Sequence, residues 1–147
     1  MLFLAALAGE IPLKSRRTRP RFEERLVSNV LSALRREGFG DARAWISGAR
    51  LFVEASEGAE GVIARVFGIH RVARVRCSSE FTSLKELAGL VESCAREWVR
   101  GKRFAVRVHR VGDQGFTSID AAREAGALLK PYSAGVDLEN PEVTVFV

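Results

Sequence analysis

The hydrophobic period changes repeatedly along this chain, and the order of those changes restricts the fold more than any single residue does. Residues 2–8 form a short apolar run that reads as a strand. From about Arg21 to Arg36 apolar side chains recur every fourth position, at Phe22, Leu26, Val30 and Leu34, as on one face of a helix. Pro20 suits the first turn of that helix and Gly38 its stop. Residues 42–47 and 50–55 alternate and are joined through Gly48, which predicts a β-hairpin with Leu51 and Val53 on one face. Residues 58–68 predict a short helix with Val62 and Val66 inward and Phe67 as a further inward candidate, and residues 69–77 a strand carrying Val72 and Val75. The order β-α-β-β-α-β is that of a ferredoxin-like domain, a four-stranded antiparallel sheet with two helices on one face.

A second unit follows. Ser83-Leu84-Lys85-Glu86 reads as a capping box that opens a helix with Leu84, Leu87, Val91, Cys94 and Trp98 inward, stopped at Gly101. Residues 103–110 alternate Phe104, Val106 and Val108 against Arg103, Arg107 and His109, as in a half-buried strand. After a loop at 111–115, Thr117 to Asp120 reads as a second cap, opening a helix with Ile119, Ala122, Gly126 and Leu129 on its inner stripe and Pro131 at its end. Two short strands, 136–138 and 143–147, complete the pattern. The fold class expected is α+β, with one domain over residues 1–78 and another over 79–147. A hydrophobic content of 47% in 147 residues is enough for two small cores.

Several function classes lose support at this level. The opening MLFLAALAGE ends its apolar run at Ala6-Leu7-Ala8, like a cleaved leader, but lacks a basic flank and is too short to span a membrane. Cys77 and Cys94 form no CxxC pair and His70 and His109 are far apart, so no metal site and no cofactor are expected. Both cysteines fall in apolar stretches and read as buried thiols, rather than a disulfide or a nucleophile, in a reducing cytoplasmic compartment. His109 has no identifiable nucleophile or carboxylate partner, and Glu10 and Asp120 make no convincing pair, so no catalytic residue is assigned.

Particular segments add a family resemblance. Residues 9–15 (GEIPLKS), followed by 21–34 (RFEERLVSNVLSAL), resemble the opening of tRNA 4-thiouridine synthetases, and 66–69 (VFGI) resemble their domain junction. From Phe104 onward, FAVRVHRVGDQGFTSIDAAREAGALL and then VDLENPEVTVFV closely resemble the THUMP pattern, whose FTS…G…VDLxNP combination is specific. Leu7 and Ala8 replace the family's aromatic or charged residue before the first Gly-Glu, and Glu142 stands where the pattern has aspartate. The resemblance covers essentially the whole chain. It implies a ferredoxin-like domain followed by an α/β THUMP domain, whose family pattern usually continues into a further strand beyond the position of Val147. It also implies a tRNA-binding front end rather than an enzyme, because this sequence contains neither the SGGxDS pyrophosphatase loop nor the rhodanese-like cysteine segment of those synthetases.

The formal net charge of +5 favours a polyanionic partner, and its distribution is more telling than its total. Arg96, Arg100, Lys102, Arg103, Arg107 and Arg110 face Glu97 alone in their own segment. Lys14, Arg16, Arg17, Arg19, Arg21 and Arg25 form a second cluster, with Glu23 and Glu24 as partial neutralisers. Phe116, Thr117 and Ser118 follow a glycine-flanked loop at a helix start, where backbone amides favour a phosphate. Two roles stay open there: Thr117 or Ser118 as cap and Phe116 as hydrophobic staple, or the same residues gripping an unpaired nucleotide. The resemblance favours both together. The expected partners are the acceptor stem and 3′ end of tRNA and a separate or downstream catalytic domain; whether the chain pairs with itself is left open. The alternatives are the N-terminal piece of a multidomain tRNA-modifying enzyme and a ferredoxin-like protein-interaction domain that binds no RNA.

Overall fold

A computed structural model describes residues 1–9 and 17–147 and divides into two units, Met1–Arg76 and Cys77–Val147. Lys14 and Arg16 lie outside the described residues. The expected α+β class is observed.

In the first unit β1 (Leu2–Leu7), α1 (Arg19–Arg36), β2 (Arg43–Ser47), β3 (Arg50–Glu54), α2 (Glu60–Ala64) and β4 (Ile69–Arg74) follow in the expected order. The sheet runs β2-β3-β1-β4 with every pairing antiparallel. Period two on β1 and β3 sends Phe3, Ala5, Leu7, Leu51 and Val53 into a core closed by Leu26, Val30 and Leu34 of α1 and Val62 and Ile63 of α2. Helix α1 ends in a paired 6→1 and 5→2 closure: the Phe39 amide donates to the Leu34 carbonyl (2.9 Å) and the Gly38 amide to that of Arg35 (3.2 Å). That closure needs a left-handed residue at Gly38, whose φ is +94°. The β2–β3 turn places Gly48 and Ala49 at φ +55° and +60°, a two-residue turn of the mirror-image type that matches strand twist.

Two inward assignments are corrected here. Phe22 stands 44% exposed and Phe67 91% exposed. Helix α2 lasts only five residues, so Phe67 falls in the turn after it instead of on its apolar face, where Val62 and Ile63 lie.

The second unit contains α3 (Leu84–Val99), β5 (Arg103–Arg107), α4 (Ser118–Leu129), a 3₁₀ turn (Lys130–Tyr132), β6 (Gly135–Val136) and β7 (Val143–Phe146). Its sheet is parallel, ordered β6-β5-β7. Central strand β5 buries Phe104, Ala105 and Val106 consecutively, so the alternation expected there is correct for Phe104 and Val106 but misses Ala105. Both helix stripes are also shifted. Helix α3 buries Ala88, Val91, Ala95 and Val99, and leaves Trp98 38% exposed; α4 buries Ala121, Ala125 and Leu129, and leaves Ile119 69% exposed. Alanines at these core positions permit close packing of the two helices, and a reading that follows the largest apolar residues lands on the flanks instead.

The cap of α3 is displaced as well. The Ser83 hydroxyl accepts from the Glu86 amide (3.1 Å) as expected, but the Glu86 carboxylate takes the Thr82 amide and hydroxyl, each at 2.8 Å, one residue upstream of the expected target. The cysteines are not buried thiols. Cys77 is exposed, Cys94 is half-buried, and the two form a disulfide that closes a segment with a sequence separation of 17. Sequence alone could not place Cys77 on an exposed connector facing the flank of α3.

Candidate nucleic-acid interface

The start of α4 is built by a reciprocal cap. Thr117 is extended (φ −88°, ψ 164°); its hydroxyl accepts from the Asp120 amide (3.1 Å), and its own amide donates to Asp120 Oδ2 (2.9 Å). Those bonds, chiefly the one from the Thr117 amide, hold the Asp120 carboxyl below its ordinary value of 3.8. The capping role expected of Thr117 is therefore present, and the protein's own carboxylate occupies part of the anion-attracting helix end. The amides of Ser118 and Ile119 complete the first turn.

The preceding loop is held by local bonds. Asp113 Oδ1 accepts from the Gly115 amide (3.0 Å) and lies 3.7 Å from Arg110 Nη1, while Gln114 Nε2 donates to the Val111 carbonyl (3.1 Å). Phe116 is half-buried, its ring tilted 44° against that of Phe81 with centroids 6.2 Å apart. Phe81 lies within the segment that the disulfide closes. Ile119, read as core, is instead an exposed apolar side chain beside Phe116 and Ser118 in sequence.

On β5 the basic residues separate into two kinds. Arg103 is tied down: Nη1 lies 3.2 Å from Asp137 Oδ2 and Nε 3.6 Å from Glu142 Oε2, and its amide donates to Glu142 Oε2 (2.8 Å). Asp137 Oδ1 also accepts from the Glu139 and Asn140 amides at 3.1 and 3.0 Å. Asp137 is held below its usual value chiefly by the Asn140 amide and next by that of Glu139, and Glu142 chiefly by the Arg103 amide. The VDLENPE segment is thus a clamp that docks the β6–β7 connection onto the start of β5, and the glutamate in place of aspartate serves it. Arg100 is bound to Glu97 (2.6 Å), and Arg96 lies 3.9 Å from the same carboxylate. Of the six cations in this segment, Lys102 and Arg107 alone have no carboxylate within ion-pair distance among the described residues, Arg107 donating instead to the Leu138 carbonyl (3.1 Å). Counting charge along the segment missed Asp137 and Glu142 because they lie 34 and 39 positions beyond Arg103.

In the first unit Arg17 is exposed and Arg19 is paired to Glu23 at 2.7 Å. Arg21 and Arg25 line an open groove with Thr18, Phe22, Glu24 and Ser28. No helix among the described residues is long and apolar enough to cross a membrane.

Known proteins match this arrangement domain by domain. The ThiI ferredoxin-like domain model matches residues 7–73 and the THUMP domain model residues 81–147. The chain thus carries a ThiI ferredoxin-like domain followed by a THUMP domain. The tRNA sulfurtransferase of Desulfurococcus amylolyticus is 50% identical over 145 residues, covering 99% of this chain and 30% of that protein. The probable tRNA sulfurtransferase of Sulfurisphaera tokodaii is 38% identical over 147 residues, covering 100% of this chain and 38% of that protein. The chain thus spans well under half the length of these relatives and corresponds to their N-terminal part. Among solved structures, PH1313 from Pyrococcus horikoshii superposes with a TM-score of 0.74 at 22% identity, over 99% of this chain and 49% of that one. A 4-thiouridine synthetase in complex with RNA and ATP superposes with a TM-score of 0.67 at 21% identity, over 99% of this chain and 37% of that one. These two likenesses concern the fold. The resemblance read from GEIPLKS, VFGI and the FTS…VDLENP segment is borne out.

Proposed function

We propose that this chain is a tRNA-binding module that engages the acceptor stem and 3′ end of tRNA and directs a tRNA-modifying activity, 4-thiouridine formation, supplied by another domain or protein. The observation that carries this reading is the 50% identity, over nearly the whole chain, to a protein named tRNA sulfurtransferase. The geometry supports it. Lys102 and Arg107 are available for phosphates, and Phe116, Thr117 and Ser118 lie at the start of α4, with Arg110 before the loop that leads into it, where a terminal nucleotide can stack and bond. Arg103 holds the fold and contributes its positive field in addition. Lys14, Arg16, Arg17 and Arg19 are assigned to the duplex nearer the tRNA body. In this reading the two units act as two domains of one footprint, work in the cytoplasm, and do no catalysis of their own.

A second reading makes these residues the front part of a multidomain tRNA-modifying enzyme, and the 30% and 38% coverage of the relatives favours it. A reading frame that continues past Val147 into a pyrophosphatase domain distinguishes it from a separately encoded module.

The test is filter binding of intact tRNA against tRNA trimmed of its unpaired 3′ nucleotides, across a salt series. Trimming is expected to cost about 1–3 kcal/mol, the worth of one stacked base with its contacts. Lys102→Ala or Arg107→Ala is expected to lower the salt slope by about one unit per lost phosphate contact. Equal binding of both tRNAs by the folded protein would reduce Phe116 to a packing residue, and absence of salt-dependent binding would leave the chain a protein-interaction domain.

A further inference from the structure

Both helices of the first unit pack on one face of its sheet, through Leu26, Val30, Leu34, Val62 and Ile63. The opposite face carries the alternate residues of the same strands. Register aligns them into rows. Trp45 lies opposite Phe52, Phe52 opposite Leu4, and Leu4 opposite Ala73, which makes one apolar row across all four strands. Beside it, Ser47 pairs with Arg50, Arg50 with Ala6 and Ala6 with Arg71; on the other side Arg43 pairs with Glu54. At about 4.8 Å between strands the apolar row is about 14 Å long.

The Trp45 and Phe52 rings stack at 5.7 Å with 9° between their planes, and Trp45 is 40% exposed. Because β2 is the edge strand, the side of the indole away from Phe52 has no strand beside it. A cross-strand aromatic pair stabilises a hairpin whether or not it binds anything. The surrounding charge argues for more. Arg43 and Arg50 share this face with the aromatic row, and neither has a carboxylate within ion-pair distance among the described residues. An aromatic platform with a guanidinium group on each flank, that of Arg43 standing opposite Glu54 and that of Arg50 between Ser47 and Ala6, matches a polymer that alternates planar bases with phosphates. Open faces of four-stranded sheets elsewhere stack two or three unpaired bases in this manner.

We infer that the open face of the first sheet is a second RNA site, on which unpaired bases stack against Trp45 and Phe52 while Arg43 and Arg50 hold the flanking phosphates. The inference rests on the reading of the chain as an RNA-binding module and adds a site in the unit whose candidate contacts were otherwise all basic. Its ligand is single-stranded RNA, not duplex, because bases stacked within a duplex offer no free faces to an exposed indole.

The test uses the full chain with Trp98→Phe, which leaves Trp45 as its sole tryptophan, titrated with a uridine decamer and with a blunt RNA duplex of equal charge. Saturable quenching of Trp45 by the decamer and little by the duplex is expected. Trp45→Leu and, separately, Phe52→Leu keep apolar cover while removing a ring, and each should weaken decamer binding roughly tenfold or more. Circular dichroism checks their fold, and the quenching readout does not depend on either variant. If intact tRNA binds in a salt-dependent manner but the decamer neither quenches Trp45 nor is weakened by these changes, the sheet-face site is wrong and the proposed function stands. If neither RNA nor tRNA binds, both fall. A change of Trp45 emission with protein concentration alone would show the face covered by a second copy of the chain, and would also overturn the inference.

Discussion

The two sheets of this molecule present opposite problems to a reader of sequence. The first is antiparallel with helices on one face, so each strand needs only one buried side and its residues alternate. The second is a short parallel sheet whose central strand buries Phe104, Ala105 and Val106 in succession. One sheet therefore keeps an aromatic row on an open face, while the other places its candidate contacts at a helix start and at the ends of β5. An open sheet face is legible because its pattern is local. A site assembled from loops and strand ends depends on partners distant in sequence, as Arg103 depends on Asp137 and Glu142.

The comparison can be broken most forcefully in the cores, which share no buried residue. Phe104→Ala is expected to cost about 3–5 kcal/mol and to remove amide protection from residues 77–147 while leaving β1–β4 protected. Loss of protection in both sheets would show that the units unfold together. Reduction of the Cys77–Cys94 bond, or Cys77→Ser, is next, at about 3 kcal/mol for a closed segment of this length. A denaturation midpoint indifferent to reductant would mean that the bridge is not formed in solution.

A smaller effect is expected at the cap of α4, where Thr117→Ala should cost about 1 kcal/mol. Acid should act on the same unit. Asp120, Asp137 and Glu142 are held below their ordinary values of 3.8, 3.8 and 4.5 by amides that exist in this arrangement only when the unit is folded. Their contribution is therefore fully present above those values and is lost as pH falls through the lower folded-state pKa values. Unfolding curves of wild type and Asp137→Asn should converge as pH is lowered below about 4, and curves that stay parallel would contradict the carboxylate bonds. The smallest effect concerns the first sheet. Ala49 sits at φ +60°, so Ala49→Gly should stabilise the hairpin by up to about 1 kcal/mol. A loss of stability would mean that the turn is of another type.

The first unit was readable because its signals are short-range. Gly38, Pro20, the hairpin glycine, the apolar run of residues 2–8 and the alternation around Leu51 and Val53 each act within a few residues. Phe67 misled because the helix that would have turned it inward ends at Ala64. In the second unit the caps at Ser83 and Thr117 were legible for the same local reason. The helix stripes were not, since Ala88, Ala95, Ala121 and Ala125 carry the contact by being small, and hydrophobic size points to Trp98 and Ile119. Of the candidate site, residue identities were legible, but the division of the cations into tied and untied was not, because it is decided by tertiary pairing.

The Asp120 carboxylate, introduced above as half of a helix cap, also acts as a tethered competitor for any anion that approaches α4. A lone phosphate ion arriving there meets a helix end already partly neutralised from within and has nothing else to hold. Under the proposed function, an RNA that also engages Lys102, Arg107 and the Phe116 ring gains from those contacts while meeting only the two amides that remain. Under the proposed function the cap would therefore set a threshold, favouring a long, multiply anchored polyanion over a small phosphorylated one.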